Sequence, residues 1–202
     1  MSYEHFTNFG YISNHISEIL LDKLKKTSES NLVPYTTQLY EDNHNCTPSF
    51  HMPQEINDDV IKEIDGIFMQ EYSRDNTISM CIQNQGSLAV GEPVGWEIPW
   101  MNIAESGTHY MPPHSHFGLY SFIIFVTLPS KSAVHFSYNS TIGKNLVCDI
   151  PLTPKNEGNV LIFPATILHS VSNFVEHDKK RITISGNLKF MNVKEGLKDV
   201  SS

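Results

Sequence analysis

Three short stretches of the chain carry side chains that could do chemistry. Pro112-Pro113-His114-Ser115-His116 places two imidazoles two residues apart. Strand side chains alternate, so such a pair shares a face and can converge on one metal ion. Imidazole suits iron, zinc, copper or nickel. A third imidazole, His169, ends the stretch that runs from Gly158 through Pro164, 53 residues after His116. A ligand arriving from a distant strand is what a metal site inside a barrel requires. The third stretch is Arg181-Ile182-Thr183-Ile184-Ser185. Its alternation puts Arg181, Thr183 and Ser185 on one face and the two isoleucines on the other. Arginine offers a planar fork matched to a carboxylate. Each stretch also has an ordinary reading. The H-x-H pair suits a surface turn behind two prolines, His169 a strand end, and Arg181 an exposed face that continues from Lys179 and Lys180.

The elements that would position these residues fall into two textures. Residues 1–85 read as helical and irregular. Ile16, Ile19, Leu20 and Leu24 recur at helical spacing, with Ser13 or Asn14 as the expected N-cap. Val60, Ile61, Ile64, Ile67 and Phe68 repeat the pattern behind Asn57 or Asp58, with Gly66 as a mild weakness. Residues 27–56, polar and carrying three prolines, read as loop. From about Ser87, short apolar runs are broken every eight to twelve residues by Gly, Pro, Asn and Ser. The expected strands are Trp100–Ala104, His109–Met111, Leu119–Leu128, Ala133–Tyr138, Leu146–Ile150, Asn159–Phe163, Leu168–Phe174 and Arg181–Leu188. Many short strands with no helical period between them predict a sandwich or barrel. The expected division is a helical and loop extension, 1–85, packed on a β core, 86–202.

Composition narrows the function classes. The 202 residues are 40% hydrophobic and 18% charged, which suits one domain with a packed core. Fourteen Lys and Arg against 22 Asp and Glu give a formal charge of -8, so the basic footprint of a nucleic-acid binder is missing. The longest apolar run, Tyr120 to Leu128, is far short of the ~20 residues that span a bilayer, so no membrane association is expected. No basic stretch precedes an apolar one near the first residues, which predicts no secretory leader. Cys46, Cys81 and Cys148 are odd in number and form no C-x-x-C, as expected of a cytoplasmic monomer or homodimer without disulfides.

Taken in order, the three stretches resemble the iron(II)- and 2-oxoglutarate-dependent oxygenases, and most closely a group whose motifs stand here as Trp100-Met101-Asn102, His114-Ser115-His116 and Arg181-Ile182-Thr183-Ile184-Ser185-Gly186-Asn187. The resemblance covers about residues 96–190. It implies a mainly β, cupin-like double-stranded β-helix (jelly roll). It implies iron(II) held by His114, His116 and His169, and 2-oxoglutarate bound through Arg181 with a hydroxyl from Thr183. The prime substrate would be a small molecule or a peptide. The sequence departs from the general pattern at one position: His116 stands where an acidic ligand is usual, and no Asp or Glu lies between Glu105 and Asp149. The same segments also resemble cupin motifs, through Gly158, Pro164, His169 and Asn173. That keeps open a three-histidine metal enzyme without 2-oxoglutarate, or a barrel that binds without catalysing. His109, His135 and His177 lack ligand spacing, and Trp96 and Trp100 read as packing residues.

Overall fold

The computed structural model describes residues 3–6, 9–35, 46–74, 94–107, 109–139 and 145–190. Thirteen strands and two α-helices occur among them, named here in chain order. The strands are β1 (Tyr3–Phe6), β2 (Phe9–His15), β3 (Val33–Tyr35), β4 (Ser49–His51), β5 (Val94–Trp96), β6 (Trp100–Glu105), β7 (Met111–His114), β8 (Tyr120–Thr127), β9 (Ser132–Asn139), β10 (Asn145–Leu152), β11 (Asn159–Pro164), β12 (Leu168–Val171) and β13 (Lys180–Phe190). Helix α1 spans Glu18–Ser28 and α2 spans Gln54–Arg74.

The strands form two antiparallel sheets. The larger runs β1-β2-β11-β8-β13-β6-β4-β3, with β5 also on β13, and the smaller runs β10-β9-β12-β7. This is the double-stranded β-helix that the sequence led us to expect. Alternation decides which side of the large sheet does what. Phe122, Ile124 and Val126 of β8, with Ile182 and Ile184 of β13, pack on the helices against Leu20, Leu24, Val60, Ile64 and Phe68. The other face of β8, Ile123 and Phe125, packs with Val134 and Phe136 of β9 and with Phe163 in the space between the sheets. Burial of these rings and branched chains contributes roughly 1.5–3 kcal/mol each. The cavity described below opens within this second, smaller core.

Several expected boundaries differ. Ser13 and Asn14 lie inside β2, which pairs with β11 from His15–Asn159 to Ile12–Ile162. The α1 N-cap is Ser17, whose hydroxyl accepts from Leu20 N at 3.3 Å. Helix α2 begins three residues before Asn57, and Asn57 is buried with its amide donating to Met52 O at 3.2 Å. The stretch read as loop contributes β3 and β4, through pairs such as Ser49–Asn102. Strand β7 starts at Met111 and includes both prolines. It is the outer strand of the small sheet, where an imino acid costs no ladder bond on its free side. Cys81 lies outside the described residues, and Cys46 is a buried free thiol. No helix among the described residues is long and apolar enough to cross a membrane.

One turn ties the large sheet to the residues that lead into helix α1. Gly158 has φ +85°, the left-handed region that favours glycine, and accepts from Ile16 N at 2.9 Å while donating to Phe125 O at 2.7 Å. A Cβ there would sit 2.2 Å from the His15 ring. Gly158→Ala is therefore expected to cost at least ~1–2 kcal/mol for the left-handed backbone alone. For a chain of this length that is a fall of roughly 2–8 °C in Tm, readable by thermal melting. An unchanged Tm would contradict the geometry.

Candidate metal and anion site

His114 closes β7, His169 sits in β12, and the two are paired partners across the ladder. His116 follows just past the end of β7, where its N–H donates to Ala165 O at 2.8 Å and fixes the bend. One nitrogen from each of the three rings lies within 4.8 Å of the others. The H-x-H spacing thus brings both rings to one side, as alternation predicts, and the paired strand supplies the third.

The hydrogen bonds fix which nitrogen is available on two of the rings. Nδ1 of His114 donates to Pro112 O at 2.8 Å, and Nδ1 of His169 donates to Ile167 O at 3.0 Å. A carbonyl oxygen only accepts, so each Nδ1 carries the proton and each Nε2 keeps its lone pair. This backbone support is the kind that orients metal-binding imidazoles. Burial lowers all three basicities, that of His116 to about 4 and that of His169 to about 3. The rings are therefore neutral at neutral pH, and a neutral three-nitrogen donor set suits a divalent transition metal.

These shifts carry a sign for stability. An unfolded chain would protonate its histidines below about pH 6.5. The folded chain resists this until about pH 4 for His116 and about pH 3 for His169. Stability from these groups is thus full above pH ~6.5 and is lost as pH falls toward the folded values. His169 alone is expected to account for about 2 kcal/mol between pH 6.5 and pH 5. Urea melts of the metal-free protein at those two values, repeated on His169→Gln, would isolate the effect. Equal pH dependence in both proteins would refute it.

Arg181 enters the same cavity from the large sheet. It is 3% exposed. Nη1 donates to Ser172 O at 2.6 Å and to Ser132 Oγ at 3.3 Å, and Cζ lies 5.4 Å from the centre of the Phe174 ring. Among the described residues no carboxylate pairs with it. Burial lowers its pKa to about 10, so it stays a cation. A buried cation without a counter-ion is costly, and the donor set fits an incoming carboxylate.

The cavity has a volume of about 390 Å³ and holds the three histidines and Arg181 together. Thr183, Ser185 and Asn187 continue the β13 face that Arg181 begins, and their ladder partners on β6 put Asn102 opposite Thr183 and Trp100 opposite Ser185. Beyond them Glu97 accepts from Asn187 Nδ2 and from Lys189 Nζ, both at 3.0 Å. Trp100 stacks on Tyr35 at 6.0 Å and lies 6.2 Å from the His116 ring. Trp100 is thus a cavity wall, whereas Trp96 packs in the core and donates to Asp65 Oδ1 at 3.1 Å. His109, His135 and His177 make local bonds instead, to Glu105 N, Asp149 and Asp178. The roles of Ser49, Glu97 and Tyr35 were not readable in advance: β4 reaches the cavity by pairing with β6 and β3 by pairing with β4, while Glu97 is tied there by its N–H, which donates to Asn187 O at 2.8 Å.

No family model matches the chain, and no curated protein matches it in sequence. Solved structures do match it in shape. The non-heme alpha-ketoglutarate-dependent carbocyclase SnoK from nogalamycin biosynthesis superposes with a TM-score of 0.58 at 12% identity, over 90% of this chain and 79% of that one. A prolyl hydroxylase from Trichoplax adhaerens, in complex with a hypoxia-inducible-factor peptide fragment, gives 0.58 at 12% identity, over 91% and 84%. HygX from Streptomyces hygroscopicus, with nickel, 2-oxoglutarate and hygromycin B bound, gives 0.52 at 9% identity, over 92% and 84%. The likeness at these identities is one of fold, the same double-stranded β-helix.

Proposed function

We propose that the chain is an iron(II)- and 2-oxoglutarate-dependent oxygenase of hydroxylase type. The observation that carries this reading is the pairing, in one cavity, of a three-imidazole cluster with a buried arginine that has no carboxylate partner among the described residues. His114, His116 and His169 would hold iron(II), and Arg181 would take the distal carboxylate of 2-oxoglutarate with Thr183 adding a hydroxyl. Iron(II) held there supplies the activation of dioxygen, coupled to conversion of 2-oxoglutarate into succinate and carbon dioxide.

The chain's own residues do the positioning. The carbonyls of Pro112 and Ile167 hold two imidazoles in the tautomer that turns Nε2 to the cavity. Burial keeps all three rings neutral and so ready to donate lone pairs. Phe125, Val134 and Phe163 line the cavity and exclude water from it. Arg181 and Thr183 fix one end of the co-substrate. The side of the cavity toward Trp100, Tyr35 and Glu97 is left for the prime substrate, a small molecule or a peptide side chain. Burial of Cys46 as a free thiol suits a reducing, cytoplasmic setting.

The substitution of His116 for an acidic ligand favours a second reading, a three-histidine metal enzyme that uses no 2-oxoglutarate. Metal analysis of the purified protein, followed by assay of 2-oxoglutarate conversion to succinate in the presence of iron(II), separates them. Succinate formation supports the first reading. Bound metal without 2-oxoglutarate binding or turnover supports the second.

A further inference from the structure

Asn102 stands at the centre of the polar wall that leads away from Arg181, and it is buried, with 6% exposure. Its Oδ1 accepts from Ser49 Oγ at 2.7 Å. The amide nitrogen is therefore turned to the other side, where it donates to Ser185 Oγ at 3.1 Å and to Thr183 Oγ1 at 3.4 Å. A hydroxyl that accepts from an amide keeps its own proton for another partner. Thr183 and Ser185 both line the cavity, so that partner is whatever occupies it. One step further along β13 a second asparagine has the same polarity but ends on a carboxylate. The Ser121 hydroxyl donates to Asn187 Oδ1 at 2.7 Å, and Asn187 in turn donates to the Glu97 carboxylate.

We propose that Asn102 is a positioning residue that sets the direction of hydrogen bonding in this wall. By occupying the lone pairs of Thr183 and Ser185 it leaves both hydroxyls as donors beside Arg181. The deep half of the cavity then offers an anion a guanidinium and two O–H groups, and Ser185 becomes a further ligand group beyond Thr183. The mouth, past Ser185, presents the acceptor oxygens of Glu97. This rests on the 2-oxoglutarate reading in one respect: 2-oxoglutarate is the anion used to test it.

The test is anaerobic calorimetric titration of 2-oxoglutarate into manganese(II)-loaded protein. Five proteins are compared: the parent, Asn102→Leu, Asn102→Asp, Thr183→Val/Ser185→Ala, and the triple variant that joins the last to Asn102→Leu. Asn102→Leu is expected to weaken binding about five- to tenfold, the scale of one net hydrogen bond. In the background lacking both hydroxyls the same substitution should change affinity less than twofold, because the groups through which it acts are gone. Asn102→Asp keeps the shape but must accept every bond, which turns both hydroxyl protons to the wall; binding should fall below detection. Manganese affinity and Tm of each protein report whether the fold and the metal site survive. Tighter or parent-like binding by Asn102→Leu, or by Asn102→Asp, would overturn the inference. So would an equal loss in both backgrounds, which marks a merely structural residue. If the parent itself binds no 2-oxoglutarate, the oxygenase reading fails and the inference falls with it.

Discussion

His169→Ala is expected to abolish iron binding while leaving a folded protein. His169 is the most enclosed of the three imidazoles, at 4% exposure, and its Nδ1 is tied to Ile167 O. Losing an outer partner of a metal-bound histidine already costs roughly 10–100-fold in affinity, so losing the imidazole itself should cost more. The fold should persist because the flanking groups Phe136 and Phe163 keep their mutual contact at 4.8 Å, and because the main apolar core lies on the other side of the large sheet. The ring also carries an unfavourable burial in its charged form, so the metal-free variant should lose less stability at pH 5 than at pH 7.5. Equilibrium dialysis with iron(II) or manganese(II), beside a urea melt, reads both quantities. Parent-like metal affinity would place the site elsewhere.

The second large effect is expected at Arg181. Its guanidinium is held in place by a carbonyl and a hydroxyl and, among the described residues, by no counter-charge. Truncating one partner of a buried, hydrogen-bonded charge pair costs about 2–5 kcal/mol. At about 1.4 kcal/mol per decade, Arg181→Ala should weaken 2-oxoglutarate binding roughly thirty-fold or more. Lys should rescue only in part, since an ammonium cannot reproduce the bidentate fork. Metal affinity should hardly change in either variant. Stability should move the other way from binding. Arg181→Met removes a costly buried cation and fills similar space, so the ligand-free variant should be as stable as the parent or more so. A protein that loses both stability and co-substrate affinity would show Arg181 to be a structural residue. Equal affinity in parent and Arg181→Ala would remove the co-substrate assignment.

Local chemistry explains how much of this was legible in the sequence. The alternation Arg181-Ile182-Thr183-Ile184-Ser185 assigned both faces of β13 correctly because period-2 patterning is a property of the strand itself. The apolar spacing of both helices was legible for the same reason, although their starts were not. Ser17 caps α1, and Ser13 and Asn14 belong to β2, a strand that exists because β11 pairs with it. Strands β3 and β4 are three residues each and include Pro34. Nothing in so short a stretch announces a strand; the ladder with β6 makes it one. The cavity divides along the same line. Spacing marked the groups on β13 and the three histidines as candidates, the family resemblance joined them, and the structure brings them to one cavity. Ser49, Tyr35 and Glu97 were not marked, because they reach the cavity through long-range pairing.

Strand β13 serves the core with one face and the cavity with the other, and this restricts how the gene can vary. A one-residue insertion or deletion before Arg181 would exchange the faces, sending Ile182 and Ile184 into the cavity and charged and hydroxylated groups into the helical layer. Core and cavity would be lost together. A two-residue change keeps the faces but displaces the guanidinium by about 6.6 Å relative to the histidines, which leaves the core intact and the site mismatched. Among descendants of this chain, length changes should therefore collect in the turn before β13 only where a compensating change restores the register. Single substitutions on the cavity face remain free to alter what is bound without disturbing the core behind it.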